Sequence, residues 1–99
     1  MANETKAALA YFEGGFRPLA DAKVNVMTHA FLYGTATFEG IRAYWNADQG
    51  ELYALKLNEH LERLRASSKI LMMNPLPEVA ELRTIIIELL QKNSYKEDV

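Results

Sequence analysis

Two hydrophobic patterns divide this chain near Leu57. Beyond that residue, Leu61, Leu64, Ser68 and Leu71 recur at helical spacing, with Glu59, Glu62 and Arg65 on other faces. That period predicts an amphipathic helix over 58–71. Asn58 suits its N-cap, since an amide oxygen there accepts from the free N–H groups of the first turn. Asn74-Pro75-Leu76-Pro77 breaks the period, and Pro77 fits the first position of a second helix. Val79, Leu82, Ile86, Leu89 and Leu90 carry that helix to about Lys92.

Before Leu57, short apolar runs alternate with turn formers. Ala8 to Glu13 predicts a strand, Gly14-Gly15 a tight hairpin, and Phe16-Arg17 a return strand that Pro18 limits. Ala22 to Met27 alternates weakly, as a strand would. Thr28 to Phe38 has no clean period and reads as a helical turn followed by an irregular loop. Ile41–Trp45 and Leu52–Leu57 predict two strands joined by the loop Asn46-Ala47-Asp48-Gln49-Gly50. The expected fold class is α+β, an antiparallel sheet with two helices in a single domain over 1–99.

Charge and composition narrow the function classes. Eleven Lys and Arg against thirteen Asp and Glu leave a net charge of −2, without the basic excess of a nucleic-acid domain. No cysteine is present, which removes disulfides, thiolate metal sites and a cysteine nucleophile. No apolar run is long enough to span a bilayer, and Met1 to Ala10, with Glu4 and Lys6, lacks the core of a signal peptide. A soluble, cytoplasmic protein is expected.

Candidate chemistry gathers between the two patterns. Phe31, Tyr33, Phe38, Tyr44 and Trp45 place five of the ten aromatics within fifteen residues, among Gly34, Gly40, Thr35 and Thr37. Such a cluster is either a core under a loop, the commoner case, or a pocket wall whose glycines admit a ligand to the backbone. Arg63 shares a helix face with His60 near the helix start. It either completes an anion site or forms a solvated pair with Glu59. Glu39 and Arg42 are close enough in sequence for an acid–base pair or a strand-end ion pair. His29 and His60 have no partner at metal-ligand spacing, so a metal is not expected.

The string Tyr33-Gly-Thr-Ala-Thr-Phe-Glu-Gly-Ile-Arg-Ala-Tyr44, followed by Asn58-Glu-His-Leu-Glu-Arg-Leu64, resembles the amino-terminal part of the branched-chain amino acid aminotransferases, class IV enzymes dependent on pyridoxal 5'-phosphate. The likeness runs from about Tyr11 to the end of the chain. Relatives acting on D-amino acids, and the aminodeoxychorismate lyases, typically carry an F-G-D-G-like string at this place. The resemblance implies that Arg63 binds the cofactor phosphate and that Phe38 and Gly40 line the substrate side-chain pocket. It further implies that Tyr33 reaches the neighbouring subunit's active site in a homodimer, and that Arg42 helps recognise an acidic co-substrate.

The family's catalytic lysine lies on a later segment than any present here. The six lysines (Lys6, Lys23, Lys56, Lys69, Lys92 and Lys96) fall at none of the matching motifs. The resemblance therefore implies the small domain of a larger enzyme that moves amino groups between branched-chain L-amino acids and 2-oxoglutarate. The 99-residue chain alone is expected to be inactive. One rival is another class IV enzyme, a D-amino acid transaminase or an aminodeoxychorismate lyase. The rival of a different class is a stand-alone, non-catalytic ligand-binding or interaction module built on the same fold.

Overall fold

The computed structural model describes residues 8–99, without the side chain of Phe31. Its elements are β1 (Leu9–Phe12), β2 (Gly15–Pro18), a 3-10 turn (Leu19–Asp21), the short helix α1 (His29–Tyr33), β3 (Ala43–Asn46), β4 (Glu51–Ala54), α2 (Leu57–Ile70) and α3 (Val79–Asn93). The polar opening that includes Glu4 and Lys6 lies outside the described residues. The class is α+β, as expected. The strands form two separate two-stranded antiparallel sheets, β1–β2 and β3–β4, in place of the one sheet that the sequence pattern suggests.

Local chemistry explains where the boundaries differ from expectation. The first hairpin turns at Glu13 and Gly14 (φ 51° and 81°), and Gly15 already pairs with Phe12. Two successive positive φ angles match the twist of the flanking strands, which is why a two-residue turn suffices. In the second hairpin Asn46 ends β3, and its Oδ1 accepts from Gln49 N at 3.1 Å, leaving a shorter loop of Ala47 to Gly50. The stretch Ala22 to Met27 is not a strand. Val24, Val26 and Met27 are 65%, 68% and 73% exposed, so their alternation faces no covering layer.

Asn58 is not the cap of α2. Lys56, in the left-handed conformation (φ 50°), turns the chain out of β4, and the helix begins at Leu57. Asn58 Oδ1 instead accepts from Arg83 Nη1 at 2.9 Å, so a tertiary partner on α3 takes the oxygen that a cap would have used. Pro77 also stays outside its helix, because α3 starts at Val79 with extended Glu78 as its cap.

The innermost residues are Leu61, Ala43, Leu57 and Ser68, at 0%, 3%, 5% and 4% exposure. Leu57, Leu61 and Ser68 lie on one face of α2 at the predicted period. The apolar stripe of α3 is half-buried throughout. Backbone-like ties close the fold: Asn93 accepts from Leu9 N at 2.7 Å and donates to Leu9 O at 3.1 Å, so a side chain at the end of α3 acts as a neighbour to β1. Val99 exchanges two backbone hydrogen bonds of 2.9 Å with Ala43, beside β3. No helix among the described residues is long and apolar enough to cross a membrane.

Candidate active site

The site begins on the outer face of α2. His60 and Arg63 stand three residues apart and so project side by side, while Leu57, Leu61 and Ser68 turn inward. Between α1 and β3 the chain has no regular structure from Gly34 to Arg42, yet it is held to α2 at two points. Thr37 Oγ1 lies 3.2 Å from Ser68 Oγ, which itself donates to Leu64 O at 2.9 Å. Glu39 then meets both His60 and Arg63.

That second contact is an asymmetric ion pair. Arg63 donates from Nε to Glu39 Oε2 at 2.9 Å and from Nη2 to Oε1 at 2.7 Å. His60 Nδ1 stands 2.7 Å from the same Oε1, a length that assigns its proton to Nδ1 as donor to the carboxylate. The carboxylate side chain is 9% exposed and the guanidinium side chain 65%. Hydrogen bonds from Arg63 first and His60 second lower the Glu39 pKa from 4.5 to about 2, and the Arg63 pKa is raised by the same carboxylate. The expected pairings of Arg63 with Glu59 and of Glu39 with Arg42 are both replaced by this cluster. The Arg42 guanidinium lies over the Tyr44 ring, 5.7 Å from its centroid.

The other anticipated residues face outward. Phe38 is 87% exposed and Tyr33 is 70% exposed, so neither belongs to a core under the loop. Tyr33 closes α1 and packs its ring at a tilt of 42° against His29, centroid to centroid 4.6 Å, while His29 Nδ1 lies 2.7 Å from Thr35 Oγ1. Gly34 caps α1 in the left-handed conformation, φ 69°, where a Cβ would be strained. Gly40 has no such need: an added Cβ would meet nothing within 4 Å, so the fold of this chain does not itself ask for glycine there.

The donor set fits a phosphate. An arginine offers two hydrogen-bonding edges, and Glu39 occupies only the one formed by Nε and Nη2. Nη1 makes no hydrogen bond among the described residues, and the side chain is largely open to solvent. Phe38 and Gly40 sit on either side of Glu39 in the chain, so the residue that anchors the arginine lies between an exposed aromatic and an open glycine. Hollows elsewhere, one of them lined by Glu62, Arg65, Lys69, Met73 and Val79, contain none of these residues. With Phe38 87% and the Arg63 side chain 65% exposed, the candidate site is an open wall. Sequence reasoning missed Glu39 as the partner of Arg63 and His60, and it missed the Thr37–Ser68 contact. Only the shared face of His60 and Arg63 was visible in advance.

Comparison with known proteins identifies the family. The family profile described as amino-transferase class IV matches residues 36–98. A protein of Aquifex aeolicus named as a probable branched-chain-amino-acid aminotransferase is 47% identical over 90 residues, covering 91% of this chain and 29% of that protein. The crystal structure of a branched-chain aminotransferase from Thermoproteus uzoniensis with norvaline superposes with a TM-score of 0.85 at 36% identity, over 92% of this chain and 30% of the other. That of the branched-chain amino acid aminotransferase from Thermobaculum terrenum in its PLP-form gives 0.76 at 34% identity, over 85% and 27%. The chain therefore spans less than a third of the length of the relatives it matches.

Proposed function

The chain belongs to the class IV aminotransferases, and from that premise we propose that it forms the small domain of a larger transaminase acting on branched-chain L-amino acids and 2-oxoglutarate. The observation that carries this reading is Arg63, fixed by one edge and exposed on the other, beside the segment of Phe38 and Gly40. Arg63 holds the phosphate of pyridoxal 5'-phosphate through charge-assisted hydrogen bonds. When bound, the cofactor supplies the electron-withdrawing ring that lets a proton leave the substrate's Cα. The protein's part in this domain is placement.

Phe38 and Gly40 contact the aliphatic side chain of the substrate. The ring supplies apolar area, and the missing Cβ leaves the backbone approachable. Arg42 receives the carboxylate of the acidic co-substrate by turning from the Tyr44 ring. Tyr33, exposed at the end of α1, reaches toward the site of a neighbouring subunit in a homodimer. The lysine that exchanges protons with the substrate belongs to a part of the enzyme outside these 99 residues.

The test uses the complete enzyme. Arg63→Ala is expected to weaken pyridoxal phosphate binding on the order of 10- to 100-fold, the loss of a charged hydrogen-bonded contact, with little change in unfolding of the cofactor-free protein. Arg63→Lys is expected to restore part of it, since an ammonium gives charge without the planar fork. Unchanged cofactor affinity in Arg63→Ala would return that residue to an ordinary surface ion pair.

A further inference from the structure

We propose that Glu39 is the positioning residue for Arg63: with His60, it fixes the guanidinium plane so that its free edge meets a phosphate, and it couples that edge to the segment carrying Phe38 and Gly40. This rests on the reading of Arg63 as a phosphate ligand.

The geometry separates this cluster from an ordinary surface pair. Two mobile side chains gain little from pairing in water, because both lose rotamer freedom. Here the carboxylate, 9% exposed with the arginine in place, is also held by His60 at 2.7 Å, independently of the arginine. Only the arginine remains to be ordered. Its Nε and Nη2 both point at Glu39, at 2.9 and 2.7 Å, which in a planar fork directs Nη1 and the outer Nη2 hydrogen away from the carboxylate. The Nη2 atom also lies 3.3 Å from His60 Nδ1, but a nitrogen that donates to Glu39 cannot accept as well, so the outer hydrogen remains available. Two parallel donors are left facing outward, the arrangement that grips two oxygens of a phosphate.

Glu39 also belongs to the irregular segment and not to the helix. Its neighbours in sequence are Phe38 and Gly40, and Thr37 is held separately through Ser68 at 3.2 Å. The contact that orients the arginine therefore also sets where the substrate-facing residues stand along α2. One opposing effect exists: a carboxylate beside the arginine repels the phosphate. Orientation outweighs it in this proposal, because the His60-held carboxylate has already restricted the arginine before the cofactor arrives.

The experiment compares pyridoxal 5'-phosphate with pyridoxal, which lacks the phosphate, as ligands of the complete enzyme and its Glu39→Gln, Glu39→Ala and Arg63→Ala variants. Gln keeps one acceptor for the fork, whereas Ala keeps none. Phosphate-cofactor affinity is expected to fall in the order parent, Gln, Ala, reaching about 2- to 10-fold for Ala, the scale of ordering one long side chain. Pyridoxal affinity should stay near the parent value, and the cofactor-free protein should lose only the modest stability of a part-exposed ion pair. Adding Glu39→Ala to Arg63→Ala should weaken phosphate-cofactor binding no further. Equal losses for both ligands would overturn the proposal and leave Glu39 a part of the fold only. Unchanged or tighter phosphate-cofactor binding in Glu39→Ala, with Arg63→Ala still weakened, would overturn it while sparing Arg63 as the phosphate ligand. No loss in Arg63→Ala would overturn both.

Discussion

On its inner side α2 carries Leu57 and Leu61, 5% and 0% exposed, into the core; on its outer side His60 and Arg63 hold Glu39 of the irregular stretch before β3. The inner side works by area removed from water, which is insensitive to direction and roughly additive. The outer side works by a few directed polar contacts that give orientation and little stability. The helix is thus a structural element on one face and a mount for chemistry on the other. Substitutions on the two faces should separate accordingly.

The largest effect is expected at Leu61. Its side chain has no exposed surface, so Leu61→Ala loses its apolar transfer energy and leaves a cavity. Destabilisation of about 2–5 kcal/mol is expected, read from chemical denaturation at neutral pH. A loss under about 1 kcal/mol would mean that the inner face collapses around the gap and is less close-packed than its burial indicates.

The outer face should instead respond to acid. The Glu39 carboxyl has its pKa lowered from 4.5 to about 2 by Arg63 and His60. A depressed carboxylate contributes stability that is fully present above its unfolded-state value, and that contribution is lost as pH falls toward 2. The stability difference between the parent and Glu39→Gln should therefore be constant near neutrality and shrink between pH 4.5 and 2. The arginine's exposure makes the effect modest and weaker in high salt. A difference that persists unchanged at pH 2 would show that the carboxylate charge is not what joins the segment to the helix.

The same division decides what could be read from the sequence. Leu61 and Ser68 announced the inner face because burial repeats with the helix, and the two long helices followed with it. Asn58 and Pro77 misled by one or two residues, since Arg83 claims the Asn58 amide and Lys56 starts α2 in an unforeseen left-handed turn. In the first hairpin, glycine content suggested Gly14-Gly15, but strand twist placed the turn at Glu13-Gly14. Residues 34–42 offered no period at all. The pairing of Glu39 with Arg63 joins positions 24 residues apart, and no local preference encodes such a distance. Residue clustering and helix position made Arg63, Phe38, Gly40, Tyr33 and Arg42 candidates, but the specific roles expected of them came through their motif, not through any periodicity.

Phe38 gives the smallest expected effect on stability and the sharpest contrast with Leu61. A phenylalanine in a core would lose about 3–5 kcal/mol on truncation to alanine. Phe38 is 87% exposed, so truncation removes few contacts and opens no cavity within this chain. Unfolding of the Phe38→Ala chain should stay within about 0.5 kcal/mol of the parent, as for surface substitutions generally. In the complete enzyme the same change is expected to lower kcat/KM for leucine, isoleucine and valine by roughly 10- to 200-fold, the range that apolar pocket contacts command. Glutamate should suffer less if, as proposed, its distal carboxylate is received by polar groups such as Arg42 rather than by an aromatic face. Both measurements belong to one variant, and their ratio is the test. A stable Phe38→Ala enzyme that treats leucine and glutamate as the parent does would remove the ring from the substrate wall, and would leave its exposure on this face to be explained by contact with another part of the enzyme.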